Sequence, residues 1–217
     1  KVSLAFTGDG GTSEGDFHDG LNFAGVLESP CVIVVQNNQW SISVPASRQT
    51  AAATFAQKAV AYGLPHERVD GNDIFAIYAT VKKAVDRARS GGGATLIEAV
   101  TYRILDHNSA DSSAVYRTED EAEYWKTLDP VERFEKYLFN QGVLDQATKT
   151  AMEARAEKRL REEIDRGRAV PPTLPDDMFL HHLQGEAGWS VKHQRDELAC
   201  ELAGGNPFLD MTGEGVQ

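Results

Sequence analysis

Two short apolar runs and one helical stripe organise the first 35 residues. Val2-Ser3-Leu4-Ala5-Phe6 reads as a buried strand. Cys31-Val32-Ile33-Val34-Val35 is β-branched throughout its centre and reads as a central parallel strand buried on both faces. Between them, Phe17, Leu21, Ala24 and Leu27 recur every three or four positions. That spacing predicts an amphipathic helix over 14–28, with these side chains in the core. Ser13 is the expected N-cap, with Asp16 three residues on as in a capping box, and Pro30 ends the element.

The alternation continues downstream. Residues 54–62 suit a short helix, and Glu67-Arg68-Val69-Asp70 a strand that enters the turn Gly71-Asn72. Asp73 to Ser90 is a second helix, with Ile74, Ile77, Val81, Ala84, Val85 and Ala88 on one face. Gly91-Gly92-Gly93 closes it, and Ala94 to Tyr102 is another strand. A β-α-β-α-β order implies an α/β fold with a doubly wound, mostly parallel sheet. Ligands are then expected beyond the carboxyl ends of the strands. Residues 103–118 form a polar loop of a length usually reserved for function.

After 118 the pattern turns helical. Short helices are expected at 119–126 and 129–140, with Gly142 as a C-cap. Asp145 opens a long charged helix to about Arg166, of the kind that faces solvent or a partner. Pro171-Pro172 and Pro175 then begin a stretch expected to be irregular. The organisation anticipated is therefore 1–118 around the sheet, 119–170 as a helical extension, and 171–217 as an acidic tail.

Composition narrows the class. The 217 residues carry a net charge of −11, of which −6 falls in the last 47, and 41% are hydrophobic. Disorder as the main state is excluded, and broad nucleic-acid binding is disfavoured. No apolar run has the length of a membrane span, and no signal peptide is apparent. Two cysteines, Cys31 and Cys200, form no CxxC. A disulfide framework or zinc site is not expected, and a reducing compartment fits. His181-His182 has no further ligand at useful spacing and reads as solvated.

The chemistry lies in the turn after the first strand. In Gly8-Asp9-Gly10-Gly11 the glycines let a phosphate approach the backbone, and the following helix offers free N–H groups. Ser13 stands where a dinucleotide fingerprint needs Gly, and no Gly-Lys-Ser/Thr follows as in a P-loop. Asp9 inside the turn would repel a diphosphate unless a cation sat between them. A divalent metal held by Asp9 and bridged to phosphate resolves the conflict. Asn37-Asn38 ends the neighbouring strand on the same side, so an Asn38 amide oxygen can share that ion. An oxygen set of this kind favours magnesium.

Gly8-Asp9-Gly10, then 26 residues, then Asn37-Asn38 is similar to the thiamine-diphosphate motif GDG…NN. The segment Gly11-Thr12-Ser13-Glu14-Gly15-Asp16-Phe17-His18, continuing to Leu21-Asn22-Phe23-Ala24, narrows the likeness. So do Gln39-Trp40-Ser41-Ile42-Ser43-Val44-Pro45, Arg48-Gln49-Thr50, and the loop Tyr102-Arg103, His107, Ser109-Ala110-Asp111 to Tyr116-Arg117. Together they resemble the alpha subunit of the decarboxylating component of 2-oxo acid dehydrogenase complexes. The likeness is close over about 2–140 and looser over the long helix.

The resemblance implies thiamine diphosphate and Mg2+ as cofactors. Asp9, Asn38 and the Trp40 carbonyl would bind the metal, and Gly8, Gly10 and Gly11 would approach the diphosphate. Some relatives carry Arg before the Asn pair; Gln36 stands here, which weakens or removes that phosphate contact. His107 would be the catalytic residue of the loop, touching the diphosphate end and guiding the lipoyl group. Arg103, Asp111, Tyr116 and Arg117 would order the loop and support lipoyl-domain docking. The position after this His is a regulatory phosphoserine in animal relatives; Asn108 removes that switch.

In the family, a beta subunit or fused beta half binds the other end of the cofactor. The implied protein is therefore a hetero-oligomer with a lipoyl-bearing acyltransferase core and a small 2-oxo acid substrate. It would reside in a bacterial cytoplasm, or in the mitochondrial matrix of a eukaryote. The family also places a long stretch ahead of the GDG strand, so the chain is expected to be part of a longer subunit or a split one. The pattern Asp106-His107 with Ser109-Ala110-Asp111 leans to pyruvate, and Ser112-Ser113 to branched-chain 2-oxo acids; pyruvate is favoured. Acetoin dehydrogenase uses the same scaffold and is the alternative enzyme. A non-catalytic piece supporting a beta subunit is the alternative of another class.

Overall fold

The computed structural model describes residues 1–180, 185 and 188–204. The His181-His182 pair lies outside the described residues. The chain divides into two compact units, Lys1–Gln146 and Ala147–Gln217.

The first unit carries, in chain order, β1 (Ser3–Gly8), α1 (Gly15–Val26), β2 (Cys31–Asn37), the two-residue strands β3 (Trp40–Ser41) and β4 (Val44–Pro45), β5 (His66–Asp70), α2 (Ile74–Arg89), β6 (Thr95–Val100), α3 (Glu119–Lys126) and α4 (Pro130–Asn140). The four longer strands form one parallel sheet in the order β1-β2-β6-β5, while β3 and β4 make a small antiparallel hairpin. Successive side chains of β2 and β6 serve opposite faces. Val35 and Leu96 pack with Leu21 and Ala24 of α1 and with Phe55, Ala59 and Leu64. Val32, Val34, Ile97 and Ala99 pack with Ala84 of α2, flanked by Ile77, Val81 and Val85. Helices thus cover both faces, and the doubly wound α/β expectation holds. The near-continuous apolar runs of β2 and β6 follow from that double coverage.

Several expectations need correction. β1 is not buried: Leu4 is 48% and Phe6 61% exposed, because β1 is an edge strand with only β2 beside it. An apolar run reports a strand but not its place in the sheet. Ser13 is not the cap of α1. It ends a 3-10 turn over Gly10–Ser13, and α1 starts after Glu14, which makes no side-chain capping bond. Leu27 is 69% exposed rather than core, since α1 stops at Val26 and Glu28 turns left-handed at φ 48°. Ile74 likewise faces outward at the first position of α2. The 54–62 helix is a 3-10 segment over Ala56–Tyr62 that ends at left-handed Gly63. By contrast, Asp73 caps α2 as its sequence suggests, its Oδ1 accepting from Phe75 N and Ala76 N at 2.9 and 3.1 Å.

The helices α3 and α4 belong with the sheet rather than with a separate extension from 119. Trp125 stacks on Tyr102 at 5.4 Å, Phe134 and Tyr137 meet Phe75, and Arg133 Nη1 donates to the Asn72 carbonyl at 2.9 Å. The second unit holds most of α5 (Gln146–Arg168), which begins right after Asp145 and is exposed along its length except at half-buried Lys149. Charge pairs one turn apart, such as Arg161–Glu157 at 2.5 Å, line it. The stretch from 171 is not wholly irregular: α6 (Trp189–Ala203) runs between Gly188 and Gly204. No Pro or Gly interrupts those fifteen residues, so nothing local opposes a helix.

Leu96 is wholly buried against α1, so Leu96→Ala is expected to cost about 2–5 kcal/mol in urea unfolding. Leu27→Ala is expected to stay within roughly 0.5 kcal/mol of the parent, because its side chain already lies in water.

Candidate functional site

Parallel pairing brings the two candidate motifs together. Gly8, the last residue of β1, lies opposite Gln36 of β2, so Asp9 and Asn38 leave adjacent strand ends side by side. The Asp9 carboxylate is only 1% exposed. Its Oδ1 accepts from the Asn38 backbone N–H at 3.3 Å and its Oδ2 from Gln49 Nε2 at 2.6 Å. Both donors are neutral. A buried carboxylate met only by neutral groups is stabilised by a cation placed beside it.

The second strand end folds back sharply. Gln39 and Ile42 adopt left-handed conformations, φ 73° and 51°, which return the chain through the β3–β4 hairpin. Asn38 Oδ1 accepts from Trp40 N at 3.1 Å and keeps a second lone pair. Trp40 and Pro45 form a non-hydrogen-bonded pair of the hairpin, because the adjacent Gln39 carbonyl takes the Ala46 N–H at 2.8 Å, so β4 does not engage the Trp40 carbonyl. Asp9, Asn38 and the Trp40 carbonyl therefore supply oxygens from one short stretch of structure, a donor set that fits a hard divalent cation.

The glycines of the turn are small for two reasons. Gly8 looks into open space. A Cβ on Gly10 would collide with the Ser41 hydroxyl and lie 2.8 Å from Ser41 Cβ, and one on Gly11 would collide with the Thr7 hydroxyl. Gly10 and Gly11 open the 3-10 turn, where backbone N–H groups have no partner within the helix. The turn is braced from below by Lys58, whose Nζ donates to Thr12 O and Oγ1 at 2.8 Å each. Burial pushes the Lys58 amine below its usual range.

The 103–117 loop is a second, separate cluster. Arg103 Nη2 donates to the Ile42 carbonyl at 2.7 Å and to Tyr116 OH at 2.6 Å. Tyr116 OH in turn donates to Asp111 Oδ2 at 2.5 Å. Arg117 donates to the carbonyls of Arg103, Ile104 and Leu105 and to Ser113 Oγ. These four residues order the loop by direct contact. His107 joins them through its backbone N–H, which donates to Asp111 Oδ2 at 2.8 Å, while the residue itself is exposed. Tyr116 packs its ring 5.3 Å from that of Trp40, which ties the loop to the hairpin.

Four contributors escape a sequence reading: Gln49, Lys58, Ser41 and the buried Glu98 of β6. Each acts on a residue 31 to 61 positions away, and no local spacing announces such contacts.

The Tyr116 hydroxyl, followed by the His107 N–H, holds the Asp111 carboxyl below its ordinary value. A carboxyl lowered in the folded state adds order above its unfolded pKa and loses it as pH falls through the folded one. The exchange protection of the His107 amide should therefore be constant above about pH 4 and fall below it. In Tyr116→Phe the loss should begin at higher pH; amide exchange followed by NMR between pH 3 and 7 checks both.

Residues 1–175 match the family described as Dehydrogenase E1 component. The chain is 48% identical to the 3-methyl-2-oxobutanoate dehydrogenase subunit alpha of Mycobacterium tuberculosis over 203 residues, 94% of this chain and 55% of that protein. It is 46% identical to the pyruvate dehydrogenase E1 component subunit alpha of Acholeplasma laidlawii over 202 residues, 92% of this chain and 59% of that protein. With the Staphylococcus aureus counterpart the identity is 46% over 164 residues, 75% and 44% of the two chains. The chain thus spans somewhat over half the length of the first two relatives. On the strength of that match over most of its length, the chain belongs to the dehydrogenase E1 component family.

Proposed function

We propose that this chain is the diphosphate- and magnesium-binding part of a 2-oxo acid dehydrogenase E1 alpha subunit. The observation that carries the reading is the buried Asp9 carboxylate, bonded across the ends of β1 and β2 to the Asn38 backbone and, among the described residues, to neutral donors. Asp9, Asn38 and the Trp40 carbonyl would hold Mg2+. Gly10 and Gly11 would give their N–H groups to the diphosphate, and Gly8 would leave it room. Thiamine diphosphate, held there, would supply the nucleophilic carbon and the electron sink that decarboxylation of a 2-oxo acid needs.

The chain's own part is binding and gating. Lys58 keeps the turn in shape beneath the phosphates. Arg103, Asp111, Tyr116 and Arg117 hold the loop over the hairpin, and the exposed His107 would guide an incoming lipoyl group. The remaining half of the active site would come from a beta subunit or fused beta half, and the acyl group would pass to a lipoyl-bearing acyltransferase core. The substrate is a short 2-oxo acid. Relatives named for 3-methyl-2-oxobutanoate and for pyruvate match about equally well, so both stand as candidates. Among the described residues no helix is long and apolar enough to cross a membrane, and Cys31 and Cys200 are both free. We place the protein in a bacterial cytoplasm.

The test is titration of the chain with Mg2+ and thiamine diphosphate, alone and with a beta subunit, followed by decarboxylation assays on pyruvate and 2-oxoisovalerate. Asp9→Ala and Asn38→Ala are each expected to weaken magnesium-dependent cofactor binding by more than the roughly 10–100-fold typical of residues behind a metal's ligands. Circular dichroism should show the fold intact. Unchanged affinity in both variants would remove the metal from this site. Binding without turnover in the completed assembly would favour the non-catalytic reading, and turnover of acetoin alone the acetoin dehydrogenase one.

A further inference from the structure

Glu98 has no part in the chemistry above, yet it is a carboxylate 1% exposed in the middle of a central strand whose neighbours are Leu96, Ile97 and Ala99. An apolar residue would fill that position without desolvating a charge. Its two oxygens reach three different parts of the chain. Oε1 accepts from Asn37 Nδ2 at 2.8 Å and lies 3.4 Å from Arg68 Nε on β5, while Oε2 accepts from the Ala56 N–H at 2.9 Å. Asn37, so clamped, uses its remaining side-chain oxygen for the N–H of left-handed Gln39 at 3.1 Å. That turn sends the Asn38 N–H to Asp9 and the Trp40 N–H to Asn38 Oδ1. Hydrogen bonds, joined by the peptide bonds on either side of Gln39, therefore link Glu98 to Asp9, to Asn38 and to the Trp40 backbone.

We propose that Glu98 is a positioning residue for the metal hairpin. By fixing Asn37 against the segment that starts at Ala56, it holds the left-handed turn at Gln39. The turn sets where Asn38 and Trp40 present their oxygens to a divalent cation. The cation part of this inference rests on the proposed function; the turn part stands without it.

The polarity of the Asn37–Glu98 pair can be exchanged. Asn37→Asp keeps the acceptor for Gln39 N–H but sets a second carboxylate against Glu98. Glu98→Gln, in that background, donates from its nitrogen to Asp at 37 while its oxygen still accepts from Ala56 N–H; Arg68 Nε loses its 3.4 Å partner there, and its side chain, 54% exposed, turns to water. The single Glu98→Gln change cannot satisfy both neighbours at once, because one of two N–H groups then faces another donor.

Two readouts are taken on the full chain. Without metal, Asn37→Asp should lose about tenfold or more of the exchange protection at the Asn38 and Gln39 amides, Glu98→Gln should lose less, and the double variant should return close to the parent. Amides of Val32–Val35 should stay unchanged throughout, which separates the turn from general destabilisation. With thiamine diphosphate present, Mn2+ affinity measured by electron paramagnetic resonance should follow the same order across the three variants. If Asn37→Asp does not fold, the single Glu98→Gln and the double variant carry the comparison. Protection at Asn38 and Gln39 that ignores Glu98→Gln, or that the double variant fails to restore while β2 stays native, overturns the role given to Glu98. A parent chain that binds no Mn2+ with the cofactor overturns the proposed function instead, and the exchange result alone then decides the Glu98 role.

Discussion

Parallel pairing of β1 with β2, in the register that sets Gly8 against Gln36, is the constraint from which the site follows. It delivers Asp9 and Asn38 to the same end of the sheet and buries the Asp9 carboxylate as it does so. A buried charge must find donors, and the available ones are the Asn38 N–H and the Gln49 amide. Satisfying Asp9 thereby fixes the start of the β3–β4 hairpin and draws in the segment after it. One strand register thus determines the positions of three separate stretches of backbone.

A second layer locks that arrangement from either side. Below, Lys58 holds the 3-10 turn through Thr12, and Glu98 holds Asn37. Above, Arg103 bonds the Ile42 carbonyl of the hairpin, and Tyr116 lies on Trp40. The long loop is therefore neither free nor buried. It is pinned at its two arginines while His107 stays exposed at the surface, a division suited to a group that must meet a partner. Loop and hairpin touch through Arg103 on Ile42 and Tyr116 on Trp40, so a ligand that orders one has a direct contact through which to order the other.

Legibility in the sequence tracks the distance over which each feature acts. The strand–turn–helix order, the Asp73 cap and the GDG…NN spacing are local or nearly periodic, and the fold class and the meeting of Asp9 with Asn38 could be read from them. The long 103–118 loop was visible as polar sequence. Its internal bonds between Arg103, Asp111 and Tyr116 follow from no spacing; family resemblance pointed to these residues without their contacts. Leu27 shows the limit of periodicity: it fits the stripe of α1, yet the helix stops one residue earlier and the side chain turns outward. Leu4 and Phe6 show another, since an apolar strand reads the same at an edge as at the centre.

By itself, then, the sequence determined the alternating α/β architecture, the Gly-rich turn with its acidic residue, and the oxygen-rich pair one strand away. These depend on backbone preferences and on spacings counted along the chain. The tertiary structure decided which strand lies at the edge, that α3 and α4 belong to the same compact unit as the sheet, and which buried polar groups answer one another. Glu98 with Asn37, Gln49 with Asp9 and Lys58 with Thr12 are pairs separated by 40 to 61 positions. Such pairs form because a buried donor or acceptor without a partner is costly, and only the folded chain shows which groups are buried together.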